Sequence, residues 1–282
     1  MTATVTLTKV VGPASVQDLG RPGHLALGLP RGGTLARRLL RALNGSVGNA
    51  SSDSALEVFG VVEFSVSEAV AVAVDHQEPF MAQPGVGYRV ASEGRRVRLV
   101  AFAGGLAVPE VLGGRGLLPT ARIGGHEGRW LRSGDVLPLR TNGTTLARVI
   151  ATQVATPPAP RDPLRLELLP GPDRASLVDA ESLATRSFRI AETSDRTGLL
   201  LVGESVALRP RRPDAPSLPL VPGAVQIPPS GMPMVLGPDH PVTGGYPVVG
   251  VVRATQLEEL FVAPLGSVVR LFFEAFPSAV IF

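Results

Sequence analysis

The chain contains no cysteine and a single lysine, Lys9, among its 27 basic residues. Without cysteine it can form no disulfide, thiolate nucleophile or cysteine-ligated metal site. Aromatics make up 5% of the sequence, with one tryptophan and two tyrosines, so stacking platforms for single-stranded nucleic acid are scarce. The pI near 10.1 accompanies a formal charge of only +3, because arginine stays protonated and raises the pI without a large net charge. Arg37, Arg38 and Arg41 form one basic cluster and Arg209, Arg211 and Arg212 another. Neither has interleaved aromatics, and no nucleic-acid partner is expected. No apolar run approaches the ~20 residues that cross a bilayer. Met1 to Val11 alternates threonine with apolar residues and lacks the pattern of a signal peptide. The expectation is a cytoplasmic protein with no membrane partner.

Several chemistries are poorly supported. The four histidines, His24, His76, His126 and His240, show no ligand spacing. Asp75-His76 and Asp239-His240 are adjacent pairs, which a strand would point to opposite faces, so no metal is expected. Gly113-Gly-Arg115-Gly116 lacks the lysine and hydroxyl residue of a phosphate-binding loop. The Gly-x-Ser-x-Gly turn of a nucleophilic serine is absent, and Ser230 sits in a Pro-Ser-Gly turn.

What is abundant is glycine, 32 residues, and proline, 27, a composition rich in turns and poor in long helices. Period-two patterns predict strands. Val70, Val72 and Val74 alternate with Ala71 and Ala73; Val97, Leu99 and Ala101 alternate with Arg96 and Arg98; Leu164, Leu166 and Leu168 alternate with Arg165 and Glu167. A helix is predicted over Thr34 to Leu43, with Leu35, Leu39 and Leu43 on one face and Asn44-Gly45 ending it. Asp173 and Thr255 are candidate caps of two further short helices. The proline-rich run 153–163 reads as a linker between an N-terminal domain, 1–152, and a C-terminal domain, 164–282. The halves close alike, with Gly134 and Gly266 each leading into a terminal strand.

The most informative segment is Gly223 to Pro247. Its six prolines exclude helix, and it predicts a strand at Met232 to Leu236 between two structured loops. The second loop gathers Asp239, His240, Thr243 and Tyr246, with Gly244 and Gly245 allowing close backbone approach.

These residues carry a family resemblance. Gly223-Ala-Val-Gln226-Ile-Pro228, Asp239 and Thr243-Gly-Gly-Tyr-Pro247 resemble the signature of the urea amidolyase-related, biotin-dependent carboxyltransferase family. Val16-Gln17-Asp18-Leu19-Gly20-Arg21-Pro22-Gly23, Asn44, Gly48-Asn49, Ala55-Leu56-Glu57, Ala103-Gly104-Gly105, Gly124-Gly125, Glu127-Gly128-Arg129, Gly134-Asp135-Val136 and Ser194-Asp195-Arg196 continue it in order. Members include allophanate hydrolase subunit 2, the carboxyltransferase domain of urea carboxylase and the C-type subunit of 5-oxoprolinase. The resemblance implies a mainly β fold: two cyclophilin-like β-barrel domains with a few short helices.

It also implies a component of an ATP-dependent lactam hydrolase that opens 5-oxoproline and is inactive alone. Its partners would be homologues of the B-type (cyclophilin-like) and A-type subunits of 5-oxoprolinase, and ATP and Mg would be used by the assembled complex. Two other readings stay open: a carboxyltransferase acting on urea or a related amide with biotin on a partner, and a non-catalytic regulatory module. In the first reading Asp239, Thr243 and Tyr246 recognise the amide. Gln226, His240, Gly244 and Gly245 join Gln17, Asp18 and Arg21 in binding substrate, with an internal ion pair as the competing role for Asp18 and Arg21. This chain departs from the family pattern at Ala36, where an aspartate is usual, at Gly114 and Gly116, where serines are usual, and at Val242.

Overall fold

Strands supply most of the regular structure in the computed structural model, which describes residues 2–140, 163–210 and 216–273. The expected linker, apart from Pro163, and Arg211 and Arg212 lie outside the described residues. The chain divides into two compact units, Met1–Pro158 and Ala159–Phe282.

The first unit runs through β1 (Thr4–Val11), β2 (Ala14–Gln17), α1 (Arg37–Ser46), β3 (Ala55–Val58), β4 (Val61–Val66), β5 (Val70–Val74), β6 (Phe80–Ala82), β7 (Tyr88–Ala91), β8 (Arg98–Phe102) and β9 (Val136–Pro138). Among the described residues these make a four-stranded sheet, β7-β4-β1-β9, and a five-stranded one, β2-β3-β8-β5-β6. Alternation sends Val5, Leu7, Val62 and Phe64 from the first sheet, and Val16, Val58, Val72, Val100 and Phe102 from the second, into one shared core. Phe64 and Phe102 meet edge to face there, with ring centroids 5.3 Å apart, a favourable aromatic geometry.

The valine/alanine alternation of β5 has a clear cause. Val70, Val72 and Val74 fill the core, while Ala71 and Ala73, also buried, lie on the face where α1 packs against β5 and β8. Small side chains let the helix approach closely. Leu99 and Ala101 of β8 share that face, so both sides of these central strands are covered.

Helix α1 starts at Arg37 and ends at Ser46, three residues later at each end than the sequence predicts. The late start follows from a side-chain tether. The Thr34 hydroxyl (2.7 Å) and the Leu35 N–H (2.8 Å) both donate to Oε2 of buried Glu57 on β3, which holds these residues out of the helix. Leu35, Leu39 and Leu43 are buried as their spacing predicts.

The second unit holds β10 (Leu164–Pro170), β11 (Phe188–Ile190), β12 (Gly198–Gly203), β13 (Leu218–Pro219), β14 (Ala224–Gln226), β15 (Met234–Leu236), β16 (Thr243–Gly244), β17 (Val248–Val252), α2 (Ala254–Val262) and β18 (Val268–Phe273). Seven of these strands form a closed barrel in the order β10-β17-β14-β15-β12-β11-β18, with β10 pairing parallel to β18. Closure leaves the barrel no exposed edge. Strands β13 and β16 form a separate two-stranded ribbon. Leu164, Leu166 and Leu168 point inward and Arg165 outward, as their alternation predicts.

Three local expectations need correction. The strand at Met232 to Leu236 is shorter, since the Gly231 N–H donates to Pro228 O and the Met232 N–H to Ser230 Oγ, closing a turn first. Asp173 stands at the N-cap of a short 3-10 turn, Arg174–Ser176, but its side chain makes no capping bond; its Oδ2 accepts the Val248 N–H at 2.9 Å instead, and a second 3-10 turn, Glu181–Ala184, follows. Thr255 lies inside α2, whose N-cap is Arg253. Gly134 and Gly266 each adopt positive φ (91° and 82°), and they feed β9 and β18 as the sequence suggests.

Candidate functional site

In the first unit, Gln17, Asp18 and Arg21 are buried at the end of β2, against the loop that carries Arg115 and Gly116. The Gln17 amide donates to Ser15 Oγ (3.1 Å) and Leu117 O (3.0 Å). One Asp18 carboxylate oxygen accepts the Gly20 N–H at 2.7 Å and the other the Arg115 N–H at 2.5 Å. The Arg21 guanidinium donates to Val111 O (3.3 Å) and Gly116 O (2.5 Å). These three side chains therefore clamp backbone. A charged group donating to, or accepting from, main chain is a strong way to fix a loop that has no sheet partners. Gly116 passes close to this cluster: a Cβ there would lie 2.6 Å from Gln17 Oε1 and 2.8 Å from Asp18 Oδ1.

The second unit places its set on the crossover between β15 and β17. Asp239 and His240 are buried at the base of this loop, while Thr243, Gly245 and Tyr246 are exposed farther along it. Tyr246 keeps 51% of its surface. Gln226, 4% exposed at the end of β14, lies beneath: its Nε2 is 3.4 Å from Tyr246 O, and a Cβ on Gly244 would come within 2.9 Å of that nitrogen. Gly244 is thus the residue that lets the backbone run directly over the Gln226 amide. His240 Nδ1 is 2.8 Å from Pro241 O. A carbonyl only accepts, so Nδ1 carries the proton.

Asp239 is engaged from below. Arg196 holds its two oxygens in a fork, Nε to Oδ2 at 2.7 Å and Nη2 to Oδ1 at 3.1 Å. The sequence places Ser194-Asp195-Arg196 among the motifs without indicating its partner. The structure brings together residues 43 positions apart. Nothing in local spacing encodes that contact.

A second cluster of titratable groups lies at the β5 end of the first unit. His76 occupies the left-handed region (φ 59°), so the opposite-face rule for a strand does not apply to Asp75 and His76. His76 Nε2 comes to 3.4 Å from Asp75 Oδ2, and Arg95 Nη2 to 3.3 Å from His76 Nδ1. Burial, then the charges of Arg95 and Arg98, push the His76 pKa down to about 4. Burial raises that of Asp75, against the Leu99 N–H and the Arg98 charge, which lower it. Among the described residues no three His, Asp or Glu side chains gather closely enough to hold a metal ion.

Comparison with known proteins places these features in a family. The chain matches the carboxyltransferase domain, subdomain A and B, over residues 27–273. It is 31% identical to the C-type subunit of 5-oxoprolinase from Escherichia coli (strain K12) over 274 residues, covering 89% of this chain and 85% of that protein. The solved structure of TTHA0988 superposes with a TM-score of 0.83 at 27% identity, over 95% of this chain and 56% of that one; this chain spans little more than half of it. Kluyveromyces lactis urea carboxylase shares the fold, with a TM-score of 0.83 at 21% identity, over 95% of this chain and 27% of the other. The family match begins in the first unit and ends in the last barrel strand of the second, and this chain belongs to the carboxyltransferase-domain family, subdomains A and B.

Proposed function

We propose that this protein is the C-type subunit of an ATP-dependent 5-oxoprolinase, acting in the cytoplasm with A-type and B-type partner homologues to open the lactam of 5-oxoproline to glutamate. The observation that carries the reading is the nearly end-to-end similarity to the E. coli C-type protein. The loop geometry supports it. Opening a lactam develops negative charge on the carbonyl oxygen, and donors already aimed at that position lower the barrier. Thr243 and Tyr246, both exposed on this loop, carry hydroxyls of the kind that can donate to such an oxygen, while Gln226, Gly244 and His240 shape its backbone. Asp239, with its carboxylate held by Arg196, acts on substrate through the loop it anchors. The clamp of Gln17, Asp18 and Arg21 organises the loop carrying Arg115 and Gly116 in the first unit. An amide bond is resonance-stabilised, and ATP with Mg, held by the assembled complex, supplies the driving force.

The test is reconstitution. The purified chain with ATP and 5-oxoproline should release no glutamate. Co-expressed with its A-type and B-type partner homologues, it should co-elute with them on size exclusion and hydrolyse 5-oxoproline. Robust turnover by the chain alone, or separate elution and no activity in the mixture, overturns the proposal. One observation favours a second reading: the family match is to a carboxyltransferase domain. In that reading the same loop presents urea or a related amide to carboxybiotin borne by a partner, and urea carboxylation by the mixture would select it.

A further inference from the structure

We infer that Arg196 is the positioning residue of the loop Gly237 to Pro247, setting the place of Thr243 and Tyr246 without itself meeting substrate. The inference rests on the reading above for its catalytic consequence. Its structural part stands on the geometry at the base of the loop.

That base is built from two turns. The first is closed on itself by Asp195, whose Oδ1 accepts the Thr197 N–H at 2.7 Å and the Gly198 N–H at 3.3 Å, and it leads straight into barrel strand β12. The second leaves barrel strand β15 at Leu236. Main chain joins them twice: Gly237 N–H donates to Thr197 O at 2.8 Å and Asp239 N–H to Arg196 O at 3.2 Å. The contact is tight, since a Cβ on Gly237 would overlap Arg196 O. The guanidinium fork on Asp239 completes the joint, with 5% of the Arg196 side chain and 2% of the Asp239 side chain exposed.

A buried ion pair is a poor way to gain stability, because desolvation offsets its attraction and a well-packed apolar pair often does as well. What the pair supplies is direction. A planar guanidinium meeting both oxygens of a carboxylate fixes distance and orientation together, which an ammonium or an apolar contact does not. Here that direction is imposed on Asp239, four residues before Thr243 and seven before Tyr246. The barrel is thereby linked to the exposed end of the loop through a joint that resists rotation.

The test separates position from stability. Arg196→Lys keeps the charge and loses the fork. The double variant Arg196→Leu with Asp239→Leu removes both charges and leaves an apolar pair. Each is compared with wild type by thermal unfolding, by hydrogen exchange of the amides from His240 to Tyr246, and by kcat and KM in the assembled complex. Loop exchange should accelerate about tenfold in both, and kcat should fall by about ten- to a hundredfold, as misplacement by an ångström does. The double variant should unfold close to the wild-type temperature and still show fast loop exchange and low kcat. The inference is overturned if the double variant regains wild-type exchange and kcat, or if Arg196→Lys changes neither. If the wild-type complex does not hydrolyse 5-oxoproline, the functional reading fails, and the exchange measurement alone decides the role of Arg196.

Discussion

Oε1 of Gln17 is a buried acceptor with no hydrogen-bond donor among the described residues, and it faces Gly116 so closely that a Cβ there would sit 2.6 Å away. The absence of a side chain at 116 is therefore matched to the way Gln17 packs in this chain. Gln17 cannot swing aside cheaply, since its amide nitrogen is bonded to Ser15 and Leu117.

Gly116→Ala should accordingly overpack the cluster and destabilise the first unit by about 1–3 kcal/mol. Urea denaturation gives the measurement. Adding Gln17→Ala should return part of the loss, because contacting residues couple in a double-mutant cycle. An unchanged midpoint for Gly116→Ala would show that Gln17 can move aside and would remove this account of the glycine.

Acid stability should carry a signature of His76. Its folded pKa of about 4 lies below the unfolded value of 6.5, so between these values the unfolded chain binds the extra proton. Stability therefore falls as the pH drops from about 6.5 to about 4, and this contribution is level above that window. Asp75 acts in the opposite sense: burial raises its pKa, so the folded state takes up a proton first as acid is added. Arg95 and Arg98 are the cations facing the pair. His76→Asn, which also suits the left-handed backbone, should flatten the loss between pH 6.5 and 4 when unfolding midpoints are compared with wild type. Parallel curves for the two proteins would contradict the assignment.

Tyr246 offers the sharpest test of the loop. If its hydroxyl stabilises the developing oxyanion, Tyr246→Phe in the assembled complex should lose on the order of a hundredfold in kcat. Its unfolding temperature should hardly change, because about half of the residue is already exposed to solvent. Full activity in the Phe variant would mean that the ring only packs, and the role given to this loop would be withdrawn.

The residues of the chain determined a great deal unaided. Alternation in β5 and β10 and the leucine spacing of α1 identified the core-facing side chains, because strand and helix periods map directly onto faces, whereas in β8 the core is filled by Val100 and Phe102, on the face of Arg98, with Leu99 and Ala101 buried on the other side. Proline and glycine density between Gly223 and Pro247 identified the loop, and its ordered motifs identified the family. What local pattern could not carry were contacts between distant segments. Glu57 reaching Thr34 delays the start of α1; Asp173 commits its carboxylate to Val248 instead of a helix cap; Arg196 meets Asp239 across 43 positions. Each is a side chain choosing between a local partner and a distant one. That choice depends on where the barrel and the sheets bring the backbone, which only the tertiary structure decides.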